Sequence, residues 1–262
     1  MLWRDDEQTL QHHIAMNIHT VFDLVAWASG ALIGWWVRRR YLAAGTPSGF
    51  RISQHPVYVI AVALGAGVGA LLAGGGNMAL AGMLPLGHSI AGAIAGGVVG
   101  AEGYKFVFGI KGSTGLVFVA PLAAGIAIGR WGCFLSGLPD YTYGTPTTLP
   151  WGVDFGDGIP RHPVQLYESF AMLGFLLWFL WRLTQRSPLV YRSGFHLLVG
   201  FYAVQRFCWE FLKPYPKVVG PFDIFHLLMV GLFAYSLWML WGERRRHEQA
   251  SQGNDRQHVL SA

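Results

Sequence analysis

Charge is what this chain lacks most. Only 13% of its 262 residues are Asp, Glu, Lys or Arg, about half the share of an ordinary soluble domain, while 53% are hydrophobic and the mean hydropathy is +0.37. That balance excludes a typical soluble fold and implies an integral membrane protein. Cysteine is scarce too. Cys133 and Cys208 stand far apart with no CxxC and no Cys/His ligand spacing, so the spacing indicates neither a disulfide framework nor a zinc site. The ten histidines include no HExxH, and no metal or other cofactor is expected. The opening MLWRDDEQTLQHH lacks the basic start of a signal peptide, so the first apolar segment is expected to be retained as a span. Acidic residues are outnumbered, 14 against 19 Lys and Arg, for a net charge of +5. The basic residues are scattered among short loops, which reads as a topology signal and not as a nucleic-acid surface.

What is present is apolar length and glycine. A helix needs about 20 mostly apolar residues to cross a bilayer, and that ruler predicts seven spans: 18–37, 56–74, 84–104, 114–130, 164–181, 194–212 and 220–241. Arg38, Arg39, Arg40 and Arg51 follow span one, Lys105 and Lys111 span three, Arg182, Arg186 and Arg192 span five, and Arg244, Arg245 and Arg246 span seven. Those loops are read as cytoplasmic. The expected architecture is therefore an all-α membrane protein with its N-terminus out and its C-terminus in. It has an external segment 1–17, a transmembrane domain 18–241 with a folded external loop 131–163 between spans four and five, and a disordered polar tail 242–262. Aromatic residues through the loop argue against disorder there, and Gly156-Asp157-Gly158 reads as a tight turn. Gly92, Gly96 and Gly100 in span three form a stripe suited to close helix packing.

Ionisable residues inside spans are functional candidates because their insertion is costly. Arg130 ends span four at the depth of a lipid phosphate, which a guanidinium binds in a fork. Arg206 lies near the middle of span six, with Glu210 four residues later on the same face as its partner. His162, Gln165, Tyr167 and Glu168 open span five, and His162 is the one histidine of the long loop, suited to proton transfer. His88, at the outer end of span three, is a second candidate base. Glu102 is read as the partner of Lys105, and Cys133 as a packing residue. Asp23, in span one, is a further intramembrane acid, and Asp223 and His226 open span seven.

The segments GRWGCF at 129–134, YGTPTTLPWGVDF at 143–155, PRHPVQLYES at 160–169 and GFYAVQRFCWEFLKP at 200–214 resemble the bacterial prolipoprotein diacylglyceryl transferases. The resemblance implies a multi-pass inner-membrane enzyme moving a diacylglyceryl group from phosphatidylglycerol to the lipobox cysteine of a preprolipoprotein, and a monomer is expected. It also implies that Arg130 and Arg206 hold the lipid phosphate with Glu210 in support. Gly137 and Gly144 would then shape the substrate loop, and His162, Gln165, Tyr167 and Glu168 would build the cavity entrance. The family pattern GRxGNFxNGE is altered here: Cys133 and Ser136 replace two asparagines, and Leu138 replaces the acid. The family's span-three histidine falls on Ile90, two residues from His88. The alternative carried forward is a lipid-binding or transport protein of the same fold, or a transferase with another acceptor.

Overall fold

Where the chain is apolar for twenty residues it is helical, since backbone groups away from water must bond within their own segment. The computed structural model describes residues 2–42, 52–84 and 87–260, with side chains described over 17–246 of these and at 248; Arg51 lies outside them. Seven long helices follow in order: α1 Leu2–Val37, α2 Pro56–Leu80, α3 Ile90–Val107, α4 Val119–Ser136, α5 Val164–Thr184, α6 Pro188–Glu210 and α7 Ile224–Leu260. A π-helical turn, Arg38–Leu42, extends α1. Five stretches are long and apolar enough to cross a membrane: Asn17–Leu42, Pro56–Leu80, Leu116–Ser136, Val164–Thr184 and Ile224–Arg246. The other two helices carry more charge for their apolar length, Glu102 and Lys105 in α3 and Arg192, Arg206 and Glu210 in α6.

The protein is apolar outside and charged inside. Trp27, Leu64, Leu72, Val99, Leu177 and Trp238 face outward, while Arg130, Glu168, Arg206, Glu210 and Lys213 are buried. A solvent of lipid tails accepts the first group and cannot accept the second.

Glycine sets the helix contacts. The stripe Gly92, Gly96 and Gly100 of α3 packs on Gly65 and Gly69 of α2, and a Cβ at Gly96 would stand 3.0 Å from Gly69 Cα. This is the backbone-to-backbone approach that small residues permit. Gly132 of α4 similarly admits the Phe22 side chain of α1, and Ser236 Oγ of α7 donates to the His196 carbonyl of α6 at 2.7 Å.

Three boundaries differ from the sequence reading. Helix α4 continues past Arg130 to Ser136 because GRWGCFLS contains no breaker; it stops at Gly137, whose φ of 67° suits glycine. Arg130 therefore sits within the helix and not at its end. The segment expected before the first span is already helical from Leu2, and α7 carries the expected disordered tail in helix to Leu260. Both extensions are free of proline.

The segment between α4 and α5 carries a small hairpin. Strand β1 (Val153–Asp154) pairs antiparallel with β2 (Pro160–Arg161). Asp154 Oδ1 accepts from the N–H groups of Gly156, Asp157 and Gly158 at 2.8, 3.1 and 3.0 Å, closing the turn. Arg161 makes a two-pronged contact with Asp157 at 2.6 and 2.7 Å, which holds that carboxyl below its usual range. The loop returns to the bundle through Thr145 N–H donating to Leu212 O at 2.6 Å.

Candidate active site

At one end of the bundle α4, α5 and α6 each bring a charged side chain to the same point. Glu168, on the second turn of α5, is fully buried and shared: its Oε2 pairs with Arg130 Nε of α4 and its Oε1 with Arg206 Nη1 of α6. Arg206 Nε reaches Glu210 Oε2 at 2.7 Å, the four-residue pairing expected from sequence. Lys213, on the turn after α6, is buried 3.7 Å from Glu168 Oε1. Two arginines, a lysine and two carboxylates thus leave a net positive cluster where water is excluded. The Tyr202 hydroxyl and Lys213 Nζ have no hydrogen-bond partner among the described residues. Burial pushes the Lys213 ammonium down to about 8, with Arg206 adding to the effect and Glu168 opposing it. Phe225 of α7 lies under the Arg206 guanidinium at 5.4 Å and limits its swing.

The cluster corrects one placement. Glu168 is not at an entrance but is the hub that joins both arginines, because α5 packs against α4 closely enough for Ser169 Oγ to donate to the Ala127 carbonyl at 2.6 Å. The other residues that open α5 point elsewhere. The Tyr167 hydroxyl accepts from Trp151 Nε1 at 2.8 Å, lies 3.4 Å from His162 Nδ1, and its ring packs on Trp209. His162 is therefore half-buried in an aromatic group under the loop. Gln165 is buried and donates through Nε2 to Thr142 Oγ1 at 3.4 Å.

Gly144 lies where the loop meets the start of α5, and a Cβ there would stand 2.7 Å from His162 Cβ and 2.8 Å from Val164 Cγ2. His88 is exposed, one residue before the Ser89 cap of α3, and makes no hydrogen bond among the described residues. It is not brought to the arginines. Asp223 and His226 cap the start of α7: Asp223 Oδ1 accepts from the Phe225 and His226 N–H groups at 3.0 and 3.1 Å, and His226 Nδ1 accepts from the Asp223 N–H at 3.2 Å. Asp223 Oδ2 accepts from Lys217 Nζ at 3.0 Å, and His226 Nε2 is buried without a hydrogen-bond partner among the described residues. Glu102 pairs with Lys105 at 2.8 Å, as read from sequence.

Sequence reasoning missed Lys213, which reads as an ordinary loop charge until the turn is seen to fold inward. It also missed His19. On α1 this residue pairs with Asp23 at 2.9 Å and meets Asp140 and Cys133 beside Arg130. The four-residue spacing of His19 and Asp23 was the available signal.

Over residues 11–242 the chain matches the family model described as prolipoprotein diacylglyceryl transferase. The chain belongs to this family. It is 34% identical over 231 residues to the phosphatidylglycerol–prolipoprotein diacylglyceryl transferase of Nitratidesulfovibrio vulgaris strain DP4, covering 80% of this chain and 85% of the relative. It is 32% identical over 276 residues to the protein of that name from Solidesulfovibrio magneticus, covering 90% and 100%. A stretch of 76 residues is 50% identical to the Chlamydia trachomatis protein of that name, 27% of each chain. No solved structure matches. For a prolipoprotein diacylglyceryl transferase, the geometry places both arginines, one from GRWG at 129–132 and one from the 200–214 segment, on one carboxylate. Asp140, two residues after Leu138, carries a carboxylate into the space beside Cys133.

Proposed function

We propose that the protein transfers the diacylglyceryl group of phosphatidylglycerol to the lipobox cysteine thiol of a preprolipoprotein, releasing glycerol phosphate. Arg130 and Arg206 are proposed to hold the phosphate, and the observation that carries this is their joint anchoring by Glu168. A carboxylate shared by both guanidinium groups holds them side by side, with N–H groups on each that are not spent on Glu168. Donors fixed in this way stabilise developing charge without reorganising during reaction. In the reaction the acceptor thiol loses its proton and its sulfur attacks the glycerol carbon. The carbon–oxygen bond to phosphate breaks, and glycerol phosphate departs with the electron pair against the two arginines. Glu210 keeps Arg206 in register and Lys213 adds positive charge.

The surrounding roles are part of the same reading. Gly137 and Gly144 give the loop its path, Gln165 and Tyr167 fix it to the bundle, and His162 stands at its edge as a proton carrier. His88, on the far hairpin, is the less favoured base. All seven helices are taken as spans, with the N-terminus and the 131–163 loop outside a bacterial inner membrane, and the protein acts as a monomer. The transport alternative lacks support from the helices, since paired broken helices in two halves are absent among the described residues. The test is transfer by purified protein in phosphatidylglycerol micelles to a lipobox peptide. A mass gain of one diacylglyceryl group with matching glycerol phosphate release is expected. Lipid retained without product would contradict the reading.

A further inference from the structure

Beside Arg130, on the side away from Glu168, three metal-ligating side chains from separate parts of the chain converge. His19 of α1, Cys133 of α4 and Asp140 of the turn after α4 place one ligand atom each within 4.8 Å of one another. His19 Nε2 stands 3.2 Å from Asp140 Oδ1 and 3.6 Å from Cys133 Sγ. Donors at zinc bond lengths around a tetrahedral ion stand about 3.3–3.8 Å apart, so little movement is needed to close on one. The supporting contacts also have the form of a metal site. His19 Nδ1 faces Asp23 Oδ2 at 2.9 Å, the carboxylate partner that orients a ligating imidazole, and the Thr142 hydroxyl donates to the other oxygen of Asp140. Arg130 Nη1 lies 3.7 Å from Cys133 Sγ, where it would offset the charge of a bound thiolate.

We propose that His19, Cys133 and Asp140 bind a zinc-class divalent cation and that the acceptor thiol occupies its fourth position as a thiolate. The proposal deepens the transferase reading and rests on it for the acceptor. Mixed nitrogen, sulfur and oxygen donors suit zinc and not the oxygen-seeking magnesium or calcium. Three protein ligands leave a position open, as in catalytic sites, and a thiol that coordinates is deprotonated outright.

This gives the reaction its activated nucleophile. On coordination the thiol proton passes to solvent at this end of the bundle, where the His19 side chain is 35% exposed and that of Asp140 12%. A thiolate lone pair then forms the sulfur–carbon bond while the carbon–oxygen bond to phosphate breaks. Glycerol phosphate takes the electron pair, and the neutral thioether, a weaker ligand, leaves the metal. Because Arg130 touches both Cys133 and Glu168, nucleophile and phosphate clamp are neighbours.

The test is elemental analysis of detergent-purified protein reconstituted with zinc, followed by cobalt replacement. About one zinc per chain is expected in the wild type and none in His19→Ala, Cys133→Ser or Asp140→Asn. Asp23→Asn, which keeps all three ligands, is expected to weaken binding about 10–100-fold. The cobalt form is expected to show a thiolate charge-transfer band that Cys133→Ser removes and that a lipobox peptide shifts, while the same peptide with serine for cysteine does not. Absence of stoichiometric metal in folded wild-type protein, or equal metal in the variants, overturns the site. Full transfer by metal-free protein overturns the site and leaves the transferase reading standing. A cobalt spectrum that answers to the thiol peptide, with no transfer under any condition, upholds the site and overturns that reading.

Discussion

Glu168 is fully buried, and among the described residues its charge is balanced by Arg130, Arg206 and Lys213. Removing one partner of such a buried group costs about 3–5 kcal/mol, because the survivors are left uncompensated. Glu168→Gln is therefore expected to lower the unfolding temperature in detergent and to reduce transfer about 100-fold or more, consistent with the loss of preorganised donors. A variant with unchanged turnover would mean the arginines orient themselves. Lys213 adds a pH dependence. Its folded pKa, pushed down to about 8 by burial, lies below the unfolded value of about 10.4. The folded state thus releases the proton first, and stability rises with pH between those values. The positive charge beside Glu168 is lost over the same range. Transfer is expected to fall as pH rises through about 8, and Lys213→Met is expected to be slower with that alkaline limb removed. Of these residues the Arg206–Glu210 pair was readable, since helical spacing alone brings them together. Glu168 as hub and Lys213 as neighbour were not, because they depend on how closely α5 approaches α4 and on a turn that folds inward.

The helices themselves were legible from apolar length, and their ends were not. Arg130 was read as the last residue of a span, but nothing between Gly129 and Ser136 breaks a helix, so α4 runs on until Gly137. The glycine stripe of α3 was legible because its four-residue period marks one face; its partner face on α2 appeared only in three dimensions. Gly96→Leu is expected to drive α2 and α3 apart and destabilise the protein by about 1–3 kcal/mol, read as a fall in the thermal midpoint. Gly103→Leu, where a Cβ meets nothing within 4 Å, is the matched control and is expected to leave it unchanged. Gly144→Ala should act on the loop, with the added methyl clashing with the His162 backbone carbonyl and lowering both transfer and the thermal midpoint.

Taken whole, the protein holds its charge inside an apolar shell, and the active end is the end where the loop folds back. On the proposed topology the basic loops are cytoplasmic and that end lies outside. In a background with Cys133 and Cys208 changed to serine, a cysteine at Asp157 is expected to react with an impermeant maleimide in intact cells. One at Glu248 is expected to react only after permeabilisation, and the reverse pattern would invert the topology. The most direct measurement is the rate of diacylglyceryl transfer by Arg206→Ala against wild type, at saturating phosphatidylglycerol and equal folded protein. Removal of a donor aimed at developing charge is expected to lower kcat about 100- to 1000-fold. A wild-type kcat would show that the guanidinium held by Glu168 and Glu210 serves the bundle and not the reaction.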